Sequence, residues 1–183
     1  MRKLLLGVAM LLFAQMGFGQ MVSDQAVIPV SVTLNSILRL TVTSGGNIVF
    51  VFNTIDQYEN GIGGTPRTTT TFQVSSSRDY SITMVPENGT FIGLETGNTT
   101  FTLNNVGYVL ATTGGAVIDN DLHPLAATQV LTPVGGATAG GNHQYTIQWE
   151  VGTAGTGMAA ALSTQSLATD IYVNNIFLTL APE

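Results

Sequence analysis

Apolar and polar residues alternate over most of the chain, which is the pattern of strands that bury one face. The first three runs place apolar residues at every second position: Ile28, Val30, Val32 and Leu34, then Leu38, Leu40 and Val42, then Ile48, Phe50 and Phe52. Between the last two runs, TSGGN (residues 43–47) is typical of a tight turn, because two adjacent glycines tolerate positive φ. The pattern therefore predicts an early hairpin.

The same alternation predicts six further strands, separated by turn sequences rich in Gly, Pro and Asn. They cover residues 72–74, 80–84, 101–103, 106–110, 145–151 and 171–180. Short alternating strands with regular turns indicate an all-β sandwich or barrel. The best helical candidate is the stretch from Met158 to Ala168, whose Ala and Leu favour helix, and a loop over the sandwich is the alternative.

The first 19 residues have the three parts of a secretory signal peptide. Arg2 and Lys3 precede an apolar run that ends at Phe13, and small residues follow. The run is too short for a membrane span, which takes roughly 20 residues. A cut after Gly19 leaves residues 20–183, and a cut after Ala14 is the alternative. We expect residues 20–35 to form an N-terminal strand and residues 36–183 to form one β-sandwich domain.

Residues 20–183 contain no lysine and no cysteine, and they carry three arginines against eleven acidic residues, a net charge of −8. Nucleic acid and anionic membranes are poor partners for such a chain, because binding to phosphates needs clustered Lys and Arg. The absence of cysteine excludes disulfides, thiolate metal sites and a lipid attached through cysteine. A surface rich in neutral polar residues suits an extracellular structural protein.

No catalytic motif accompanies this composition. The two histidines, His123 and His143, fall in polar stretches without metal spacing or a neighbouring nucleophile, and we expect both to lie in surface loops. The sequence therefore predicts a protein that is not an enzyme and uses no cofactor.

Two stretches offer weak ligand sites. Asp119, Asn120 and Asp121 supply oxygen ligands of the kind that calcium takes, but they lack the spacing of a full loop and are ordinary turn residues. Tyr145 and Trp149 alternate along one predicted strand, where packing in the core is the expectation and a sugar-stacking platform the alternative.

The order of landmarks resembles a known group of exported proteins. IVFVFNTIDQYENG is an apolar strand followed by a polar loop, TTTFQVSSSRDYSITM is a strand pair around a Ser-rich turn, and VNNIFLTLAPE is a final strand. This order is similar to that of the spore coat protein U and archaic chaperone–usher pilin group of Gram-negative bacteria. The resemblance implies an incomplete immunoglobulin-like antiparallel β-sandwich, completed first by a periplasmic chaperone, with an outer-membrane usher in the pathway, and then by a strand from the next subunit.

Two segments meet this expectation. Four alternating apolar residues suit a donor strand that inserts into a groove: Ile28, Val30, Val32 and Leu34. Three in the last predicted strand suit the accepting edge: Ile176, Leu178 and Leu180. The alternative is that residues 28–34 are the first strand of their own domain, and Pro29, which has no N–H, fits an edge in either case.

The sequence thus predicts a secreted structural subunit of an extracellular fibre, pilus or surface coat at the bacterial cell surface. Its partners are copies of itself, without nucleic acid and without stable insertion in a membrane. The main alternative is a monomeric secreted β-sandwich that binds carbohydrate or a protein partner through its Gly-rich loops, and a less favoured one is a secreted hydrolase.

Overall fold

A computed structural model describes residues 26–63, 68–113, 119–132 and 136–183. The chain divides into two compact units, Met1–Leu34 and Asn35–Glu183. The described part of the second unit contains one α-helix, α1 (Ile55–Asn60), and short 3₁₀ turns at Leu103–Asn105 and Leu162–Thr164. Its strands are β1 (Leu38–Ser44), β2 (Thr68–Ser76), β3 (Tyr80–Pro86), β4 (Ile92–Gly93), β5 (Val106–Thr113), β6 (Asp119–Pro124), β7 (Gln129–Val130), β8 (Gly140–Val151), β9 (Tyr172–Val173) and β10 (Ile176–Pro182).

The strands form antiparallel sheets that pack as a sandwich. The larger sheet has the order β1-β2-β8-β5-β6, and the smaller one has the order β10-β3-β7. A two-stranded ribbon of β4 and β9 is separate from both. The prediction of an all-β antiparallel sandwich is confirmed.

The core lies between the two sheets and is built by the alternation of the central strands. Along β2, β3 and the middle of β8 every second side chain is buried, and the largest of these are Phe72, Tyr80, Ile82, Met84, Tyr145 and Ile147. The hydroxyls of Tyr80 and Tyr145 form a hydrogen bond of 2.9 Å between the sheets, and the ring of Tyr145 stacks on Phe72 at 5.1 Å. Trp149 is also buried, so the prediction that this strand packs in the core is confirmed.

The predicted early hairpin is wrong, because the backbone groups of β1 pair with β2 and not with residues 48–52. The turn after β1 packs against β2 instead. Gly45 has a φ of 65°, and a Cβ there would lie 1.9 Å from the carbonyl oxygen of Thr69. The Thr70 hydroxyl donates a hydrogen bond of 2.7 Å to the Gly45 carbonyl. These contacts fix the direction in which the chain leaves β1.

The helix positions also differ from the prediction. Residues 158–168 contain only the 3₁₀ turn Leu162–Thr164, which agrees with the loop alternative. The α-helix lies at Ile55–Asn60, in a stretch predicted to be a loop. Thr54 and Gln57 form a capping box there, in which each side chain accepts from the backbone N–H of the other. The Thr-x-x-Gln spacing was the sequence signal for this helix.

Two predicted strands are corrected by side chains that bind the backbone. The single strand predicted at 171–180 is two strands in different sheets, because Asn174 donates to the carbonyls of Asn88 and Thr90 between them. The strand predicted at 101–103 gives way to a 3₁₀ turn, where buried Asn105 bonds to Thr102.

Candidate functional site

The last strand, β10, lies at an edge of the smaller sheet. It pairs with β3 on one side, with Leu178 opposite Met84 and Leu180 opposite Ile82. Residues opposite each other in an antiparallel pair project from the same face, so these side chains point into the core with their partners. Met84 and Ile82 are fully buried, whereas Ile176, Leu178 and Leu180 are only partly covered.

The backbone of β10 is also incompletely paired. A residue in a strand directs its N–H and C=O to one side, and its neighbours direct theirs to the other. The groups of Tyr80 and Ile82 bond to Ala137 and Leu131, away from β10. The residues of β3 that alternate with Tyr80 and Ile82 therefore direct their backbone groups toward β10 and form the ladder with it. The bond from the Glu87 N–H to the Asn175 carbonyl continues this ladder.

It follows that Ile176, Leu178 and Leu180 direct their N–H and C=O groups to the other side of β10. In the part of the chain that the structure describes, no strand pairs with that side. Within the described ranges, the same three residues thus present backbone groups without a strand partner and half-covered apolar side chains. An edge of this kind is a template for another strand.

The opposite sheet has a similar edge at β1, which contacts β10. The Ser77 N–H donates to the Ile37 carbonyl at 2.9 Å, so the alternation places the backbone groups of Leu38, Leu40 and Val42 on the outer side of β1. Leu38 and Leu40 pack against the core and are partly exposed. Both edges thus face one side of the sandwich.

Residues 48–52 have the apolar sequence IVFVF. Within the described ranges they join no strand ladder, yet Ile48, Phe50 and Phe52 pack against the core while Val49 and Val51 are exposed. We call the partly covered apolar residues of β1, β10 and this segment the open seam; it consists of Leu38, Leu40, Ile48, Phe50, Phe52, Ile176, Leu178 and Leu180. The predicted accepting residues are three of its members. Sequence reasoning missed the other five as members of an open edge, because their alternation predicted a paired hairpin.

The predicted donor residues belong to the other unit and are described by themselves. Residues 26–34 are outside any strand ladder in the described part of the chain. Their apolar side chains are 78% to 91% exposed at Ile28, Val30, Val32 and Leu34. A segment that carries four such side chains at alternate positions is a candidate ligand for an apolar groove. The predicted signal peptide, residues 1–19, lies outside the described residues.

The expectation that both histidines lie in surface loops is wrong. His143 is in β8, and its Nδ1 is 2.7 Å from the hydroxyl of buried Tyr80. His123 is in β6, where its ring packs near Tyr108 at a centroid distance of 5.6 Å. Both histidines lie in strands because β8 pairs with β2 and β6 pairs with β5, although their neighbours in the sequence are polar.

The residues of the weak calcium site do not form a binding loop. Asp119 and Asp121 belong to β6 and not to a loop, and the side chain of Asp121 is exposed, while that of Asp119 is outside the description. Among the described residues, no group of three or more His, Asp or Glu side chains is arranged to hold a metal ion.

A carboxylate that the sequence did not single out organises the loop beside the ribbon. Asp170 accepts hydrogen bonds from the Thr96 hydroxyl at 2.5 Å and from the backbone N–H groups of Glu95, Thr96 and Ile171 at 2.7 to 3.1 Å. These donors, the Thr96 hydroxyl foremost, lower the pKa of Asp170 from 3.8 to about 2. The carboxylate is saturated with donors from its own chain and acts as a structural group.

Across residues 26–63, 68–113, 119–132 and 136–183, none of the helices has the length and apolar character to cross a membrane. No protein-family model matches the chain, and no curated protein is significantly similar to it.

Proposed function

We propose that the protein is an exported structural subunit that assembles into an extracellular fibre or coat by strand exchange, with residues 28–34 of one copy filling the open seam of the next. The observation that carries the proposal is at β10. Among the described residues, no strand pairs with the outer side of Ile176, Leu178 and Leu180, and their side chains are half-covered, so one added strand satisfies both.

The donor segment matches this demand in its chemistry. Its four exposed side chains, Ile28, Val30, Val32 and Leu34, alternate with the period of a strand. Burial of each stabilises the complex by about 1.5–3 kcal/mol, or about 6–12 kcal/mol together before entropy costs. The contact uses a different surface on each copy and does not close on itself, so it propagates into a filament.

Pro29 favours one orientation of the donor strand. In an antiparallel pair, residues that share a face lie opposite each other and exchange both hydrogen bonds in alternate pairs. With its apolar side chains in the core, an antiparallel donor turns the backbone groups of Ile28, Val30, Val32 and Leu34 toward β10. Pro29, which has no N–H, then faces away from β10. A parallel donor would turn Pro29 toward β10 and lose a hydrogen bond.

The register that spans all of β10 places Leu34 opposite Ile176 and Val32 opposite Leu178. Val30 then lies opposite Leu180, and Ile28 opposite Pro182. In this register each half-covered side chain of β10 gains a directly opposite apolar neighbour.

Disulfide trapping tests the proposal cleanly because the chain has no cysteine. A protein with Leu34→Cys and Ile176→Cys should form covalent multimers, visible as a ladder on a denaturing gel without reductant. Thr33→Cys with Ile176→Cys is the matched control, because Thr33 lies on the other face of the donor strand. Ile28→Cys with Ile176→Cys is the control for orientation, because a parallel donor would bring Ile28 to this end of β10. Neither should form a ladder.

Mixing separates exchange between copies from closure within one. Chains that carry only Leu34→Cys are refolded together with chains that carry only Ile176→Cys. Covalent heterodimers support strand exchange. A doubly substituted chain that gives only an internal disulfide would instead show that residues 28–34 complete their own domain, and the proposal would be overturned.

A further inference from the structure

The ribbon of β4 and β9 has a face made only of aliphatic side chains. Ile92 lies opposite Val173, and the Leu94 N–H donates to the Ile171 carbonyl at 2.9 Å, so these residues pair in the same register. Opposite residues in an antiparallel pair share a face. The ribbon face therefore consists of Ile92, Leu94, Ile171 and Val173, and the last three are 40% to 62% exposed.

This face points away from the core. Gly93 and Tyr172 form the other face of the ribbon, and the Tyr172 ring stacks on Phe101 with centroids 5.1 Å apart. The hydrogen bonds of Asp170 hold the turn that follows Leu94. The exposed aliphatic groups are thus fixed before any partner arrives, which lowers the entropy cost of a contact.

The ribbon lies at the end of the open seam where β10 begins. The Asn175 carbonyl accepts from the Glu87 N–H at 2.8 Å, and Asn174 donates to the Asn88 and Thr90 carbonyls at 2.8 and 3.0 Å. Strands β3 and β10 therefore continue directly into the ribbon. An antiparallel donor strand ends at this same end, with its Leu34 beside Ile176.

The link between Leu34 and the body of the donor copy is short. Only residues 35–37 separate Leu34 from β1, so their extended length allows at most about 14 Å between the Cα atoms of Leu34 and Leu38. At the start of β1, the Ile37 N–H donates to the Ser77 hydroxyl at 2.8 Å. The end of the donor copy that carries exposed Ile37 and the turn at residues 77–79 must therefore come close to the ribbon of the acceptor.

Charge is consistent with this arrangement. The ribbon end carries the carboxylates Glu87, Glu95 and Asp170. The end at residues 77–79 carries both arginines that the structure describes, Arg39 and Arg78, together with Asp79 and Glu183. Contact of an end whose charged residues, among those described, are acidic with one that holds both described arginines is favoured over contact of two ribbon ends, although salt screens exposed charges.

We propose that the ribbon face is a second contact between consecutive copies, occupied by the end of the donor copy that carries Ile37 and residues 77–79. This inference rests on the proposed strand exchange and adds to it. The strand in the seam holds the copies together, and the ribbon contact fixes the angle between them.

Cross-linking tests the contact in the assembled protein. Ile37→Cys is combined with Leu94→Cys, and the polymer is treated with a short bis-maleimide. We expect multimers joined through the ribbon. Val130→Cys with Ile37→Cys is the matched control, because Val130 and Leu94 are 63% and 62% exposed but Val130 lies in β7, at the far edge of the smaller sheet.

Leu94→Ser with Ile171→Ser tests the consequence. Polymers of this variant should dissociate about tenfold faster than the unmodified polymer on dilution, because two aliphatic side chains are lost from an interface. The seam disulfide between Leu34→Cys and Ile176→Cys should still form in it.

The outcomes separate the two proposals. Ribbon cross-linking no stronger than the Val130 control, with a normal seam disulfide and unchanged dissociation, would overturn the ribbon contact and leave strand exchange standing. Failure of the seam disulfide itself would overturn both.

Discussion

Met84 and Leu178 lie directly opposite each other on β3 and β10, and both side chains point into the core, yet Met84 is completely buried and Leu178 is not. The difference arises because β3 is a central strand of the sheet and β10 is an edge strand. Met84 has neighbours on both sides within its sheet, whereas Leu178 has β3 on one side and no neighbour among the described strands on the other. The core of the sandwich is therefore closed at its centre and open along the seam.

A donor variant should test which face of residues 28–34 makes the assembly. Val30→Asn with Val32→Asn should abolish polymers, because it removes two of the four side chains proposed to enter the seam. Ser31→Asn with Thr33→Asn changes the other face and should leave polymers intact. Size-exclusion chromatography measures both. Equal loss in the two variants would indicate that the segment acts without a defined face.

Substitutions of Met84 and Leu178 should respond differently when a donor peptide fills the open seam. In the chain with Val30→Asn and Val32→Asn, Met84→Ala should cost about 2–5 kcal/mol of unfolding free energy, as for a fully buried side chain. Leu178→Ala should cost less, but its cost should rise by about 1 kcal/mol or more when a synthetic peptide of residues 26–35 is added. Urea unfolding with and without peptide measures this. Phe177→Ala, on the outer face of β10, is the control and should show no such rise.

Thr70 connects the core to the turn after β1, and its loss should be costly. Its hydroxyl accepts from Trp149 Nε1 at 2.9 Å and donates to the Gly45 carbonyl. Thr70→Val keeps the shape but leaves a buried indole N–H unpaired, so it should lower the unfolding free energy by about 1–3 kcal/mol. Fluorescence of Trp149, the single tryptophan, reports unfolding. Thr69→Val, at an exposed neighbouring position, should change stability little; an equal loss would assign the effect to the strand backbone.

Tyr80 and Tyr145 should differ in the cost of losing a hydroxyl. The Tyr80 hydroxyl contacts both His143 Nδ1 and the Tyr145 hydroxyl, and burial raises the pKa of both tyrosines. Tyr80→Phe removes both contacts and should cost about 1–3 kcal/mol, and Tyr145→Phe, which removes one, should cost less. Chemical denaturation measures the two values, and the reverse order would contradict the hydrogen-bond assignment.

Asp170 should make stability depend on acid pH. Its pKa is lowered to about 2 in the folded protein from an ordinary value of 3.8, so its stabilising effect is present above pH 3.8 and is lost as the pH falls toward 2. The melting temperature of Asp170→Asn should lie below that of the unmodified protein at neutral pH, and the gap should close between these two pH values.

Thr96→Val supplies the control for this prediction, because it removes the largest cause of the shift while leaving the carboxyl. The pKa of Asp170, followed by carboxyl carbon NMR, should rise toward 3.8. A pH-independent gap for Asp170→Asn would mean that packing, and not charge, accounts for the loss.

The alternation of the sequence predicted much of the fold and the faces of its strands. Ile176, Leu178 and Leu180 share the inward face of β10, as the period of two requires. The same rule failed at residues 101–103, where buried Asn105 bonds to Thr102 and stabilises a turn. It failed again at residues 38–52, since the pairing of β1 with β2 depends on residues 27 to 38 positions further along the chain.

The sequence by itself determined which side chains are apolar and with what period, and this gave the class of the fold, the inward residues of the central strands and the alternation of residues 28–34. The exposure of residues 28–34 came from the structure. The tertiary structure alone decided which strands are neighbours and which are edges. The physical reason is that every strand offers the same backbone donors and acceptors, so partners are chosen by the packing of the whole core. Leu178 and Met84 stand in equally apolar alternating runs, and only the assembled sheets place one at the open edge and the other at the centre.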